Sequence, residues 1–418
     1  MTPTSYVHEW NRRDGYMTNP RTTLVDLQER PHSYGPGGLH PVVLGDVFKD
    51  GRYEVVHKLG FGKSATVWLA EDLNQTAWVA LKICRADITD PRELAMLYAL
   101  QQSSVAEYVA ELYDHFIHTG PNGSHICIVT NVIGPSLENR VFKRGQDRKD
   151  LAMEEQLQLT AQLLQTVMDL HNAGFAHGDL SPGDVIFRVG KLQSLNRQQL
   201  FEFVGEPQVA DLLREDGLPL GPHLPRQMTD SMDWANWDCK VGDKLCLVDW
   251  GEGFRHDAPL NRRLSQTLHI TAPETIFTDN FDHRVDLWAA GCCIYVILFR
   301  HNPFEDWGSC SILQQMLGLV ESLPPEWEAR WEQIQRDYKY KGDDWPEDEK
   351  LLRRFLSIVP EPELTPLLPI MQRLMRFKPS DRISARQALS ILFGAPASPP
   401  PAAPPANGGE DDMDMMDV

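Results

Sequence analysis

Positive charge is scarce in this sequence: 40 Lys and Arg stand against 59 Asp and Glu, a formal net charge of −19. That balance argues against a nucleic-acid binder, which needs a basic face for phosphates, and suits a basic protein partner. Part of the excess is local, since Glu410, Asp411, Asp412, Asp414 and Asp417 crowd the C-terminal end. Cysteine is sparse too. The seven present lack the paired spacing of a disulfide framework or a zinc site, and Cys292-Cys293, inside an apolar run, reads as reduced core. The longest apolar run, 287–299, falls short of the ~20 residues that cross a bilayer. Residues 1–15 hold no apolar segment of the signal-peptide kind. A cytoplasmic and/or nuclear chain is expected, without a membrane or direct nucleic-acid partner.

What is present is apolar material, 42% of residues, enough for a sizeable core. Residues 1–50, rich in Pro, Gly, His and Arg without periodicity, read as an N-terminal extension lying on the surface. Residues 51–134 carry strand signals, with β-branched or apolar runs at 52–59, 65–71, 77–84 and 125–132 between turn residues. One helix interrupts them, with Asp90 as N-cap, Pro91 at its first position, and Leu94, Leu97, Tyr98 and Leu100 at helical spacing. From 135 onward the pattern turns helical. Leu157, Ala161, Leu164 and Met168 form a stripe over 153–172 closed by Gly174, and 287–299 is apolar all round, as a buried helix is. A β-rich smaller lobe (51–134) followed by a helical larger lobe (135–394) is an α+β, bilobal fold. Residues 395–418, Pro-rich and then acidic, cannot bury enough surface to order themselves.

Three groups of residues carry chemistry. Gly60-Phe61-Gly62-Lys63-Ser64-Ala65 lies between two strand-like runs, where glycines let backbone N–H groups approach phosphate oxygens. In Val79-Ala80-Leu81-Lys82, strand alternation puts Ala80 and Lys82 on one face, a small residue making room for a flat base and an ammonium reaching phosphates. Glu93, in the first turn of the next helix, is the natural partner for Lys82. His177-Gly178-Asp179-Leu180-Ser181-Pro182-Gly183-Asp184 follows a helix and a turn, placing Asp179 to accept a hydroxyl proton. Asp184 and Asp249, the latter ending an apolar run, are hard-oxygen ligands suited to Mg²⁺.

Together these residues resemble the eukaryotic protein kinase family, and the likeness continues downstream. Ala272-Pro273-Glu274 resembles the end of an activation segment. Asp286-Leu287-Trp288-Ala289-Ala290-Gly291 resembles the start of the central buried helix, and Arg382 the late arginine that pairs with Glu274. Within the family, Tyr34-Gly35-Pro36-Gly37-Gly38-Leu39-His40-Pro41-Val42 and the glycine loop, with Ala65 at its third glycine, are similar to divergent fungal SR-protein kinases. So is the long spacer, about 190–244, between Asp179 and Asp249, read as an insertion extending from the core. The resemblance implies an ATP- and Mg²⁺-dependent serine/threonine kinase acting, as a monomer, on Arg/Ser-rich proteins such as splicing factors. It implies a nucleotide site of Leu59, Gly60, Gly62, Val67, Ala80, Lys82, Asn131 and Ile133, with Thr130 behind the base. It also implies catalytic Asp179, Lys82 and Glu93, with metal ligands Asp184 and Asp249.

Three positions depart from the family pattern. Gly178 stands where an Arg usually precedes the catalytic Asp, Ser181 where a Lys neutralises the transferring phosphoryl group, and Asp184 where the metal-binding Asn is usual. Without the Gly178-position cation, a phosphate on the activation segment loses a main partner, so phosphatase treatment is expected to leave the rate unchanged. A large drop would contradict this. Ser181, Asp184 and Ala65 also fit a pseudokinase that keeps the fold and works as a binding scaffold. A small-molecule phosphotransferase shares the His177–Asp179 and Asp249 motifs but lacks the Glu274 and Arg382 set.

Overall fold

The computed structural model describes residues 16–19, 28–142, 151–188, 190, 192–232, 234, 244–256, 262–278, 280–304, 309–337, 351–359 and 361–394. Among the described residues thirteen strands are numbered in chain order. They are β1 (Tyr16–Asn19), β2 (Val47–Phe48), β3 (Tyr53–Phe61), β4 (Ala65–Asp72), β5 (Ala77–Cys84), β6 (Leu112–Gly120) and β7 (Gly123–Asn131), then β8 (Phe175–Ala176), β9 (Val185–Phe187), β10 (Val209–Arg214), β11 (Gln227–Thr229), β12 (Leu245–Leu247) and β13 (Phe254–Arg255). Six of them form the antiparallel sheet of the smaller lobe, in the order β2-β3-β4-β5-β7-β6.

Both faces of this sheet are covered, which is why β5 reads as a nearly continuous apolar run. On one face Trp68, Ala70, Val79, Leu81 and Ile83 pack with Val42 and Phe48 of the lead-in. The expectation that 1–50 lies on the surface is therefore corrected for 34–48. Tyr34, Leu39, His40, Val42 and Phe48 are buried, because an open sheet face needs an apolar cover and the lead-in supplies it. β6, an edge strand alternating half-buried and exposed residues, went unread because its Leu-Tyr-Asp-His-Phe-Ile-His pattern has no apolar run.

The helix Arg92–Gln101 starts one residue later than expected, with Pro91 at the N-cap and no side-chain cap; Asp90 instead pairs with Arg92 at 2.7 Å. In the larger lobe every residue of Val285–Phe299 is buried. The helix Met153–Asn172 packs against it and against Ala385–Leu392, so its buried apolar set is Leu159, Leu163, Leu164, Val167 and Leu170. Of the expected stripe only Leu164 is fully buried. Leu157, Ala161 and Met168 are half-buried, since two helical neighbours rotate the buried arc. Gly174, at φ +86°, ends this helix in the left-handed region, as expected.

The spacer folds back onto the smaller lobe instead of extending from the core. Its helix Arg197–Val204 carries an Asn196–Gln199 capping box, and β10 pairs with both β1 and β11. Leu192, Leu200, Val204, Met232 and Trp234 pack on Val56, Leu69 and Trp78, and the Trp78 indole donates to Leu195 O at 2.7 Å. Lys58, wholly buried, pairs with Glu29 and donates to Thr229 O at 3.1 Å, tying lead-in, sheet and spacer together. The expected tail, 395–418, and spacer residues 235–243 lie outside the described residues. Among the described residues no helix is long and apolar enough to cross a membrane.

Candidate active site

The sheet face opposite the lead-in forms the roof of a cleft. Register pairs Val67 with Lys82, Leu69 with Ala80, and Ala80 with Thr130, so Val67, Ala80 and Lys82 share this face. Leu59, at a bulge in β3, lies with Leu69, Trp78 and Val132 where the spacer begins to cover the same face. Gly60 pairs with Val67, and Gly62 N–H donates to Ala65 O at 2.9 Å, closing a hairpin with Lys63 and Ser64 at its tip. A Cβ on Gly60 or Gly62 would meet nothing within 4 Å, so the loop's surface is open there.

The far wall of the slot was not foreseen. Ile133 packs with Ile186 on β9 and Val248, which immediately precedes Asp249, in an apolar group with Ala110 and Cys246. Val248 was findable as the neighbour of Asp249. Ile186 needed the knowledge that β9 pairs with β12. The Asn131 N–H donates to Glu111 O at 3.0 Å, and its carbonyl accepts from Thr130 Oγ1 at 3.3 Å.

Lys82 joins the lobes. Its ammonium lies 2.7 Å from both Glu93 carboxylate oxygens and 2.8 Å from Asp249 Oδ1. Burial opposes this charge, yet Asp249 and Glu93 offset it and hold the Lys82 pKa well above its ordinary value. Lys82 in turn holds Asp249 down, while burial pushes Glu93 up. Asp249 is left-handed at φ +63°, and 49% of its side-chain surface opens to the cleft although it sits deep in the molecule.

The catalytic-loop candidates hang from a residue that sequence reasoning saw only as a helix start. Asp286 accepts N–H bonds from His177 at 2.8 Å and Gly178 at 2.9 Å, and His171 Nε2 lies 3.1 Å away. His177 Nε2 lies 2.9 Å from Val248 O, linking this loop to the strand before Asp249. Asp179 accepts the Thr267 N–H at 2.7 Å. Burial raises its pKa to about 7; the Thr267 bond opposes the rise, and the charges of Asp249 and Glu252 add to it. Gln266 donates to Gly178 O at 2.8 Å and accepts from Ala272 N at 3.0 Å, tying the segment before Glu274 to the loop.

The departures acquire geometric reasons. Gly178 has φ +82°, and a Cβ there would sit 2.5 Å from Glu252 O, so this backbone admits no Arg without shifting. Ser181 Oγ donates to Asp184 Oδ2 at 2.6 Å, its N–H reaches the same oxygen at 2.9 Å, and Gly183 N–H donates to Ser181 Oγ at 3.2 Å. Ser181 therefore holds Asp184. Burial, then the charge of Asp249, push Asp184 well above the usual carboxylate range, and the Ser181 bond only partly opposes them.

Glu274 and Arg382 meet in a two-pronged pair at 2.6 and 2.5 Å, both side chains 1% exposed or less. Arg382 also donates to the carbonyls of Arg376, Arg284 and Phe377.

Residues 239–393 match the family described as Protein kinase domain. The chain is 33% identical over 180 residues to serine/threonine-protein kinase SKY1 of Saccharomyces cerevisiae, which covers 40% of this chain and 24% of that protein. It is 34% identical over 172 residues to human SRSF protein kinase 3, covering 39% of this chain and 30% of that protein. With serine/threonine-protein kinase SRPK of Physarum polycephalum the identity is 24%, over 91% of this chain and 95% of the relative. A solved kinase-domain crystal structure superposes with a TM-score of 0.58 at 17% identity, over 84% of this chain and 98% of that one, which speaks for the fold. The chain thus spans about a quarter to a third of SKY1 and SRSF protein kinase 3 but nearly all of the Physarum kinase. The paired Lys82–Glu93 and Glu274–Arg382 and the bilobal fold accord with these matches: residues 239–393 are similar to the protein kinase domain, and the chain is similar to SR protein kinases.

Proposed function

We propose that the chain is a serine/threonine protein kinase that transfers the γ-phosphoryl group of ATP to serine in Arg/Ser-rich proteins, splicing factors among them. The observation that carries this reading is the convergence of Lys82, Glu93 and Asp249 in one ion-pair group, with the charge of Asp249 also acting on Asp179. Ala80, Ile133, Ile186 and Val248 offer an apolar slot for the base, and Lys82 a cation for the phosphates. Asp179 takes the proton of the attacking serine hydroxyl, with Thr267 N–H fixing one of its carboxylate oxygens. The Arg/Ser preference rests on the likeness to SR protein kinases and on an acidic chain, net −19, facing a basic substrate.

Asp184 and Asp249 fit a divalent cation. Burial first, and then the charge of Asp249, push Asp184 up, and a bound cation would offset the second of these. Among the described residues no group of three or more His, Cys, Asp or Glu could hold a metal by itself. Mg²⁺ asks for less, taking one or two carboxylates and completing its shell with phosphate and water. When bound it supplies neutralising charge to the phosphate oxygens.

The test is transfer of labelled phosphate to an Arg-Ser repeat peptide by wild type and Asp179→Asn. Equal labelling sinks the proposal, and Mg-ATP binding without transfer favours the scaffold reading. The pH profile adds a second check. Asp179 accepts a proton only when ionised, and kcat/KM reports the free enzyme. With a pKa raised to about 7, kcat/KM is expected to fall as pH drops through about 7 and to level off above it. An acid limb at an ordinary carboxylate value near ~4 would contradict this assignment.

A further inference from the structure

Ser181 removes a cation from the catalytic loop, and its hydroxyl is committed to Asp184, so the charge developing on the transferring phosphoryl group needs another partner. Other cations are engaged. Lys82 is held by Glu93 and Asp249, Arg262 by Glu252, and Arg188 by the carbonyls of Glu107 and Val109. Lys63 differs. It stands exposed at the tip of the β3–β4 hairpin, with no ion pair among the described residues and open space beside the flanking Gly62. Its charge also acts on the Asp179 carboxyl, after those of Asp249 and Glu252. The hairpin that carries Lys63 is the end of the roof strands on which Val67 pairs with Lys82, one turn beyond the Lys82 ammonium. The flexible four-carbon stem lets a hairpin-borne ammonium follow a bound phosphate.

We propose that Lys63 is a catalytic residue, contacting the γ-phosphoryl oxygens of ATP and supplying the cation that Ser181 leaves out of the catalytic loop. This rests on the kinase reading of the same site. In the step it serves, the substrate serine oxygen forms a bond to the γ-phosphorus, and the bond from that phosphorus to the β,γ-bridging oxygen breaks. The bond's electron pair leaves with ADP, and the serine proton goes to Asp179. Lys63 forms no covalent bond, and its charge balances the equatorial oxygens during transfer. The position of the cation also links the rate to the hairpin, because the charge arrives only when the glycine loop lies over the nucleotide.

The experiment compares wild type with Lys63→Ala, Lys63→Arg and the double variant Lys63→Ala/Ser181→Lys, with Lys82→Met as an inactive control. Peptide phosphorylation is measured as kcat and KM separately, and Mg-ATP and Mg-ADP affinities are measured by calorimetry. Lys63→Ala is expected to lower kcat by about 10²–10³, the effect of removing one electrostatic donor, with little change in KM for the peptide. Lys63→Arg should keep most of the rate, and Ser181→Lys should restore part of what Lys63→Ala loses. A general loosening of the hairpin would give neither rescue. Lys63→Ala should also lose the wild-type preference for ATP over ADP. A kcat within about twofold of wild type for Lys63→Ala overturns the proposal. If the wild type transfers no phosphate, the kinase reading fails separately and the ATP-over-ADP preference decides. Its loss in Lys63→Ala supports Lys63 as the γ-phosphate cation, whereas an unchanged ratio, or no nucleotide binding by the wild type, overturns it.

Discussion

Asp179→Asn is expected to lower phosphate transfer by about 10²–10⁴, the range that a positioned general base contributes. The amide keeps the size of the side chain and a carbonyl oxygen for the Thr267 N–H, so the loop geometry at 2.7 Å is retained while the proton acceptor is lost. Folding stability should change little, or even rise slightly at neutral pH. Burial already opposes the Asp179 charge, and an amide has none to desolvate. The measurement is kcat for Arg-Ser peptide phosphorylation together with Mg-ATP affinity. A large fall in kcat with near-normal nucleotide affinity is the expected pattern. A variant within about fivefold of wild type would remove Asp179 from the chemistry.

Arg382→Leu should be the most destabilising single change at the base of the larger lobe, by about 3–5 kcal/mol. Glu274 would be left as a carboxylate 1% exposed with no cation, and the carbonyls of Arg376, Arg284 and Phe377 would lose a donor. The guanidinium also lies over the Trp288 ring at 5.4 Å, so packing on the central helix goes with it. Denaturant unfolding gives the loss directly, and the double variant Glu274→Leu/Arg382→Leu should recover part of it by removing the stranded charge. A loss below about 1 kcal/mol would show that the pair is as weak as an exposed one.

Much of the site was legible because its signals are short-range. A glycine hairpin, an alternating Val-Ala-Leu-Lys strand and an acid at the end of an apolar run each announce themselves within a few residues, and their order restricts the fold. The expected pairs Lys82–Glu93 and Glu274–Arg382 do meet. Asp286, Gln266 and Thr267 gave no such signal. They act on the backbone or carboxylate of residues some 90 to 110 positions away, and nothing in their neighbourhood marks that.

The departures divide in the same way. That Gly178, Ser181 and Asp184 differ from the family pattern could be read from the chain alone, and with it the loss of two cations. Why the backbone wants Gly178 came from the carbonyl of Glu252, and what Ser181 does came from its bond to Asp184. The lead-in and spacer, read as surface and protrusion, turned out to cover the two faces of one sheet. Local pattern sets which strands and helices form, since periodicity and turn chemistry act over a few bonds. Which apolar face each irregular segment covers is decided by the area left open once the sheet has formed, a property of the assembled chain.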